Sequence, residues 1–196
     1  MWDVADRPIS SEAPTGGVRA RTHRAILDAA IPLLSRNPGA SLADVATAAG
    51  VGRTTIHRYF PERADLLEAI SRDIVAQIEA ATTRARIDDG LAIDAIDRLC
   101  QEYFELADGL LLVFDDPQMR DWAGWEDESE DDVALVQLVS RGQAEGSIDR
   151  EQDPLWVQQC LWSLLYAAWS HTRDNGASKH AALALCLRTL RKAIAP

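Results

Sequence analysis

The 196-residue sequence predicts an all-α fold of about nine helices. Three observations carry this. Apolar residues recur at three- and four-residue intervals along most of the chain. Gly, Pro and Asn-Gly signals cut it into pieces of helical length. The stretch from Ser41 to Phe60 reads as two short helices meeting at a glycine. A 47% hydrophobic content is enough for a substantial core in one large domain or two small ones.

Residues 1–17, with Pro8, Pro14 and the Gly16-Gly17 pair, read as a disordered leader able to lend an arm to a partner. A first helix is expected from about Val18 to Arg36, with Ile26, Ala29, Ala30, Leu33 and Leu34 on its stripe. Pro32 inside it should bend or locally break it, and Asn37-Pro38-Gly39 ends it. The next helix is short: Leu42, Val45, Ala46 and Ala49 form one stripe, and Ser41 with Asp44 reads as an N-cap with an acidic partner three residues on. Gly50 can take the left-handed conformation that ends this helix, and Val51 then drops back toward the core. A third helix begins near Gly52, with Ile56 and Phe60 inward. That leaves Arg53, Thr54, Thr55, His57 and Arg58 on its exposed side and first turn. This is a helix-turn-helix whose outer face carries groove and phosphate chemistry.

Pro61 and Glu62 open a long fourth helix to about Arg86, with Leu66, Leu67, Ile70, Ile74, Ile78 and Ala81 at helical spacing. It should connect a DNA-binding domain, residues 18–63, to a second domain, residues 64–196. A fifth helix carries Ile93, Ile96, Leu99, Cys100, Tyr103 and Phe104. An apolar segment, Leu110 to Phe114, follows and breaks at Asp115-Asp116-Pro117. Met119, Trp122 and Trp125 fall on a short helix or loop. A seventh helix is expected from about Asp131 to Glu145. Two long apolar helices close the chain, at about 154–173 and 178–195, and both carry more apolar surface than one core-facing stripe needs.

The net charge of −11 argues against a nucleic-acid partner until it is divided along the chain. Between Gly17 and Arg63 seven arginines face three acids, a balance of +4, which leaves −15 for the remainder. Such asymmetry fits a DNA-binding end joined to a domain that does not touch DNA. The densest acidic run, Glu126 to Asp132, reads as a solvated loop or first helical turn. Cys100, Cys160 and Cys186 are far apart within apolar helical patterns and read as buried free thiols. No apolar window is long enough to span a bilayer and no signal-like N-terminus is present, so a cytoplasmic protein is expected. His23, His57, His171 and His180 lack metal-ligand spacing, and no nucleophile elbow or phosphate-cradling loop occurs, so neither an enzyme, a metal nor a cofactor is expected.

The run from Ile26 to Leu67 resembles the DNA-binding region of the TetR family of bacterial regulators, through Val45-Ala46, Ala49-Gly50-Val51, Thr55-Ile56, Tyr59-Phe60 and Leu66. The resemblance implies a dimeric regulator, most readily a repressor released from a palindromic operator by a small molecule, with activation as an open alternative. It implies DNA contacts from Ser41, Gly52, Arg53, Thr54, Thr55, His57, Arg58, Tyr59 and Arg63. His57 stands where the family usually has a phosphate-contacting Tyr, Arg63 where it has Lys, and Gly52 where Ser is common. Arg63 keeps the charge, and His57 can add a pH dependence.

For the effector, the resemblance implies an internal pocket, with Tyr103, Phe104, Phe114, Met119, Trp122, Trp162 and Tyr166 as its lining. The same residues also read as plain core. For the dimer, it implies pairing of the last two helices across a two-fold axis, with candidate contacts Leu161, Leu164, Leu165, Ala168, Leu183, Leu187, Leu190 and Ile194, some of which must serve the monomer core. One short recognition helix reads too few base pairs for useful specificity, so a dimer is also what the DNA side requires. A helical adaptor that binds protein instead of DNA is the competing reading. Exposed Arg53, His57, Arg58 and Arg63 argue against it.

Overall fold

A computed structural model describes residues 15–116, 119 and 130–196. Nine helices are described and, among those residues, no strand: α1 (Thr15–Arg36), α2 (Leu42–Ala48), α3 (Arg53–Tyr59), α4 (Arg63–Ala85), α5 (Ala92–Phe104), α6 (Ala107–Asp115), α7 (Glu130–Glu145), α8 (Pro154–Asn175) and α9 (Lys179–Ile194). Met119 is helical and buried as well. None of the described helices is long and apolar enough to cross a membrane.

Two expectations about the first helix are corrected. It starts at Thr15, so the Gly16-Gly17 pair lies inside it, not in a leader. It also runs through Pro32 without a break. The cost of the missing N–H is confined to one turn. Ile31 and Leu34 on either side are buried, so packing holds the helix where propensity alone would interrupt it. The Pro32 carbonyl accepts from Arg36 Nε at 2.7 Å.

The buried apolar residues form one cluster from Ile26 to Ile194. α4 runs through it on Leu66, Leu67, Ile70, Ile74, Ile78 and Ala81. α6 crosses both α1 and α4. Its approach is close because Gly109 has no side chain: a Cβ there would sit 3.0 Å from Ile74 Cγ1 of α4 and 3.8 Å from Ile31 Cγ2 of α1. The α4–α5 turn is held by Arg98, which donates to the carbonyls of Ala85, Arg86 and Asp89. α9 is tied to α5 by Arg191, bonded to Asp94 and Asp97.

Cys100 and Cys186 are buried free thiols, as expected. They share a hydrogen bond, which together with burial pushes the Cys100 thiol up. Cys160, on α8, is only half-buried.

Candidate nucleic-acid interface and effector site

The helix-turn-helix follows from local rules. Ser41 caps α2: the Asp44 N–H donates to Ser41 Oγ at 3.2 Å, and the Ser41 N–H donates to the Asp44 carboxylate at 2.8 Å. Hydrogen bonds from the Ser41 hydroxyl and backbone hold the Asp44 carboxyl below its usual range. Gly50 sits at φ +66°, and the Val51 N–H returns to the Ala46 carbonyl at 2.9 Å, closing the turn. Ile56 and Phe60 are buried under α3. The other side of α3 presents Arg53, Thr54, His57 and Arg58 to solvent, with Thr55 and Tyr59 half-buried at its margin.

Besides Ser41, which caps α2, further residues read as DNA contacts also have work inside the chain. Tyr59 donates to the Arg19 carbonyl at 3.3 Å, and the guanidiniums of Arg19 and Arg58 lie 5.8 and 5.6 Å from its ring centre; it anchors α3 to α1. Arg63, read as a DNA contact, donates from Nη2 to the Pro38 carbonyl at 2.5 Å and from Nε to that of Ala40 at 3.4 Å. Those carbonyls follow the last turn of α1 and attract the cation. His57 Nδ1 lies 3.3 Å from the Pro61 carbonyl oxygen, a contact that requires the proton on Nδ1. Nε2 is then an acceptor in the neutral ring and a donor only in the imidazolium.

The aromatic residues converge where α5, α6 and α8 meet. Tyr103 stacks on Trp162 with centroids 4.9 Å apart and planes 10° apart. Phe114 lies 6.1 Å from Trp162 and packs edge-on to Tyr166 at 5.7 Å. Tyr103 and Phe104 are buried, whereas Phe114, Trp162 and Tyr166 are half-buried. Trp122 lies outside the described residues. Polar atoms rim the cluster: Tyr103 Oη shares a hydrogen bond with Thr82 at 2.8 Å, and the Asp115 carboxylate accepts from Tyr166 Oη at 3.0 Å and from Arg173 at 3.1 Å.

Sequence reasoning missed Asp115, Thr82 and Trp169. The Trp169 indole donates to the Phe104 carbonyl at 3.1 Å. Asp115 stood in the sequence only as part of a helix-ending Asp-Asp-Pro. Trp169 was legible in principle, one heptad beyond Trp162 on α8.

The expected dimer contacts divide into two sets. Leu161, Leu165, Ala168, Leu190 and Ile194 are buried within a single chain, so these are the ones that serve the monomer core, Ala168 also lining the groove between α8 and α9. Leu164, Leu183 and Leu187 are half-buried. A groove of about 450 Å³ opens between α8 and α9, with Leu164, Ala167 and His171 on one wall and Ala182 and Leu185 on the other.

Comparison with known proteins adds the context. The model of the family described as bacterial regulatory proteins, tetR family, matches residues 26–70. The HTH-type transcriptional repressor LfrR of Mycolicibacterium smegmatis is 36% identical over 175 residues, 88% of this chain and 89% of that protein. The HTH-type transcriptional regulator BetI of Paraburkholderia phymatum is 30% identical over 127 residues, 64% of this chain and 63% of its own. A crystal structure of LfrR from Mycobacterium smegmatis in complex with proflavine superposes with a TM-score of 0.74 at 33% identity, over 92% of this chain and 99% of that one.

Proposed function

This chain belongs to the TetR family of bacterial regulatory proteins, and from that premise we propose that it is a cytoplasmic, dimeric repressor released from a palindromic operator by a planar, cationic aromatic compound. The observation that carries the reading is the segregation on α3. Ile56 and Phe60 are sealed inside while Arg53, Thr54, His57 and Arg58 stand outside, on the end of a chain that is acidic elsewhere. Arg53, at the first helical position of α3, is placed for a guanine edge, and Arg58 for a phosphate. Residues 18–63 form the DNA-reading part and 64–196 the sensing and pairing part in this reading. No catalytic role is assigned to any residue.

The effector class rests on the rings and on Asp115. A flat cation would pack on the half-buried rings of Trp162 and Phe114 and would compete with Arg173 for the Asp115 carboxylate. Proflavine bound to LfrR has that chemistry. α6 offers the route to DNA, because Phe114 lies at one end of it and Gly109 rests on Ile74 and Ile31 near the other. A tenfold loss of operator affinity requires about 1.4 kcal/mol of preference for the released conformation.

Selection from a random duplex pool tests the DNA reading: an inverted repeat is expected, and a pool without enrichment overturns it in favour of the protein-binding adaptor. Titration with proflavine tests the sensing: it should lower operator affinity, and operator should lower proflavine affinity by the same factor. Tight proflavine binding with unchanged operator affinity would reduce the aromatic group to core.

A further inference from the structure

One large ring on the surface has no part in reading DNA or effector. Trp156, in the first turn of α8, is 58% exposed. At 100° per residue, Trp156, Ser163, Ala167, Ser170 and Asp174 lie along one outward line of α8. In its C-terminal half that line enters the α8–α9 groove, whose walls include Ala167, Ser170 and Asp174, with Leu185 and Thr189 opposite. At the groove wall, Ser170 Oγ is shielded from solvent and has no hydrogen-bond partner among the described residues.

Ring and groove sit symmetrically. Trp156 is seven residues before Ser163 and Ser170 is seven residues after it, about 10 Å along the helix in each direction. A two-fold axis passing Ser163, with two α8 helices crossing antiparallel, therefore brings residue 156 of each copy to residue 170 of the other. Ser163 and Ala167 are small and exposed, so the helices can approach closely at the crossing.

Charge agrees with the same pairing. α9 runs back along α8 and ends beside its start, where the Asp149 N–H donates to the Ile194 carbonyl at 2.9 Å. Arg188 and Lys192 share the exposed face of α9 with Leu185, toward the Trp156 end. The two-fold carries them toward Asp174 of the other copy.

We propose that two copies of this chain lock together by seating Trp156 of each in the α8–α9 groove of the other. The proposal rests on the dimer reading above and names its anchor. The indole body meets Ala167 and Leu185, and its N–H finds an acceptor in Ser170 Oγ or the Asp174 carboxylate, as a buried indole requires. Because a two-fold interface is isologous, each dimer contains the contact twice.

Sedimentation equilibrium of three proteins tests this: the wild type, Trp156→Ala and Ser170→Arg. The last fills the groove. The wild type should be a dimer at micromolar concentration. Each variant, with an unchanged circular-dichroism spectrum, should dimerise more weakly by about 30-fold per site, on the order of 1,000-fold per dimer. A short bismaleimide should also join two copies of a Cys160→Ser, Ser163→Cys variant through residue 163. If Trp156→Ala dimerises like a dimeric wild type, the anchor is wrong while the dimer stands. If Trp156→Ala weakens the dimer and Ser170→Arg does not, the ring seats elsewhere and the groove assignment falls. If Ser163→Cys copies dimerise without cross-linking, the axis is misplaced and the pairing is overturned. A monomeric wild type would remove the dimer itself and leave the groove to a small ligand.

Discussion

The α2–α3 unit and the α8–α9 pair are both built from amphipathic helices, yet they differ in how directly sequence maps to exposure. In α3, seven residues long, only one stripe faces inward, so Ile56 inside implies Arg53 and His57 outside. α8 spans 22 residues and is apolar on more than one side: Leu161 and Leu165 face the core, Leu164 and Ala167 line a groove, and Trp156 stands free. A single stripe fixes its own orientation. Two stripes do not say which one the monomer uses.

The sharpest way to break this comparison is to place a charge on each kind of position in α9. Leu190 is fully buried, and Leu190→Glu should destabilise the fold by more than about 3 kcal/mol through an unpaired buried carboxylate and lost packing. Leu185 is 40% exposed, and Leu185→Glu should melt close to the wild type while dimerising less. Thermal denaturation followed by sedimentation separates the two outcomes. Equal destabilisation would erase the distinction between the stripes.

At the DNA end, Arg53 and Arg63 sharpen it. Arg53→Ala should cost about 1–3 kcal/mol of operator binding and relax one base position, with little change in melting temperature. Arg63→Ala should weaken all duplexes alike and also lower the melting temperature, because its bonds to the Pro38 and Ala40 carbonyls are lost. Duplex binding at several salt concentrations and a melt of each variant check this. A purely DNA-side defect in Arg63→Ala would contradict its internal role.

The smallest effect belongs to Asp44. Its folded pKa is depressed below the unfolded one, so its contribution to stability is present above the unfolded value and lost as pH falls through the folded one. Asp44→Asn should remove that part of the acid sensitivity seen in melts below pH 4. A variant with an unaltered acid profile would show that the cap bonds are formed equally in the unfolded chain.

The sequence alone determined the all-α class, the Ser41 cap, the turn at Gly50 and the cationic face of α3. Each of these depends on residues within about one helical turn, and backbone geometry ties neighbours that close. The tertiary structure decided the rest. Burial of Ile31 and Leu34 carried α1 through Pro32. The carbonyls after α1 drew the Arg63 side chain onto the chain's own backbone. α6 came to rest on α4 and α1 because Gly109 leaves room for Ile74 and Ile31. Asp115 became the polar rim of the aromatic group only once Tyr166 and Arg173, more than 50 residues away in sequence, were brought beside it. Leu161, Leu165, Ala168, Leu190 and Ile194 went to the core because α5 and the other helices cover them. No local rule contains such contacts, since they depend on which of several apolar faces finds a partner first within its own chain.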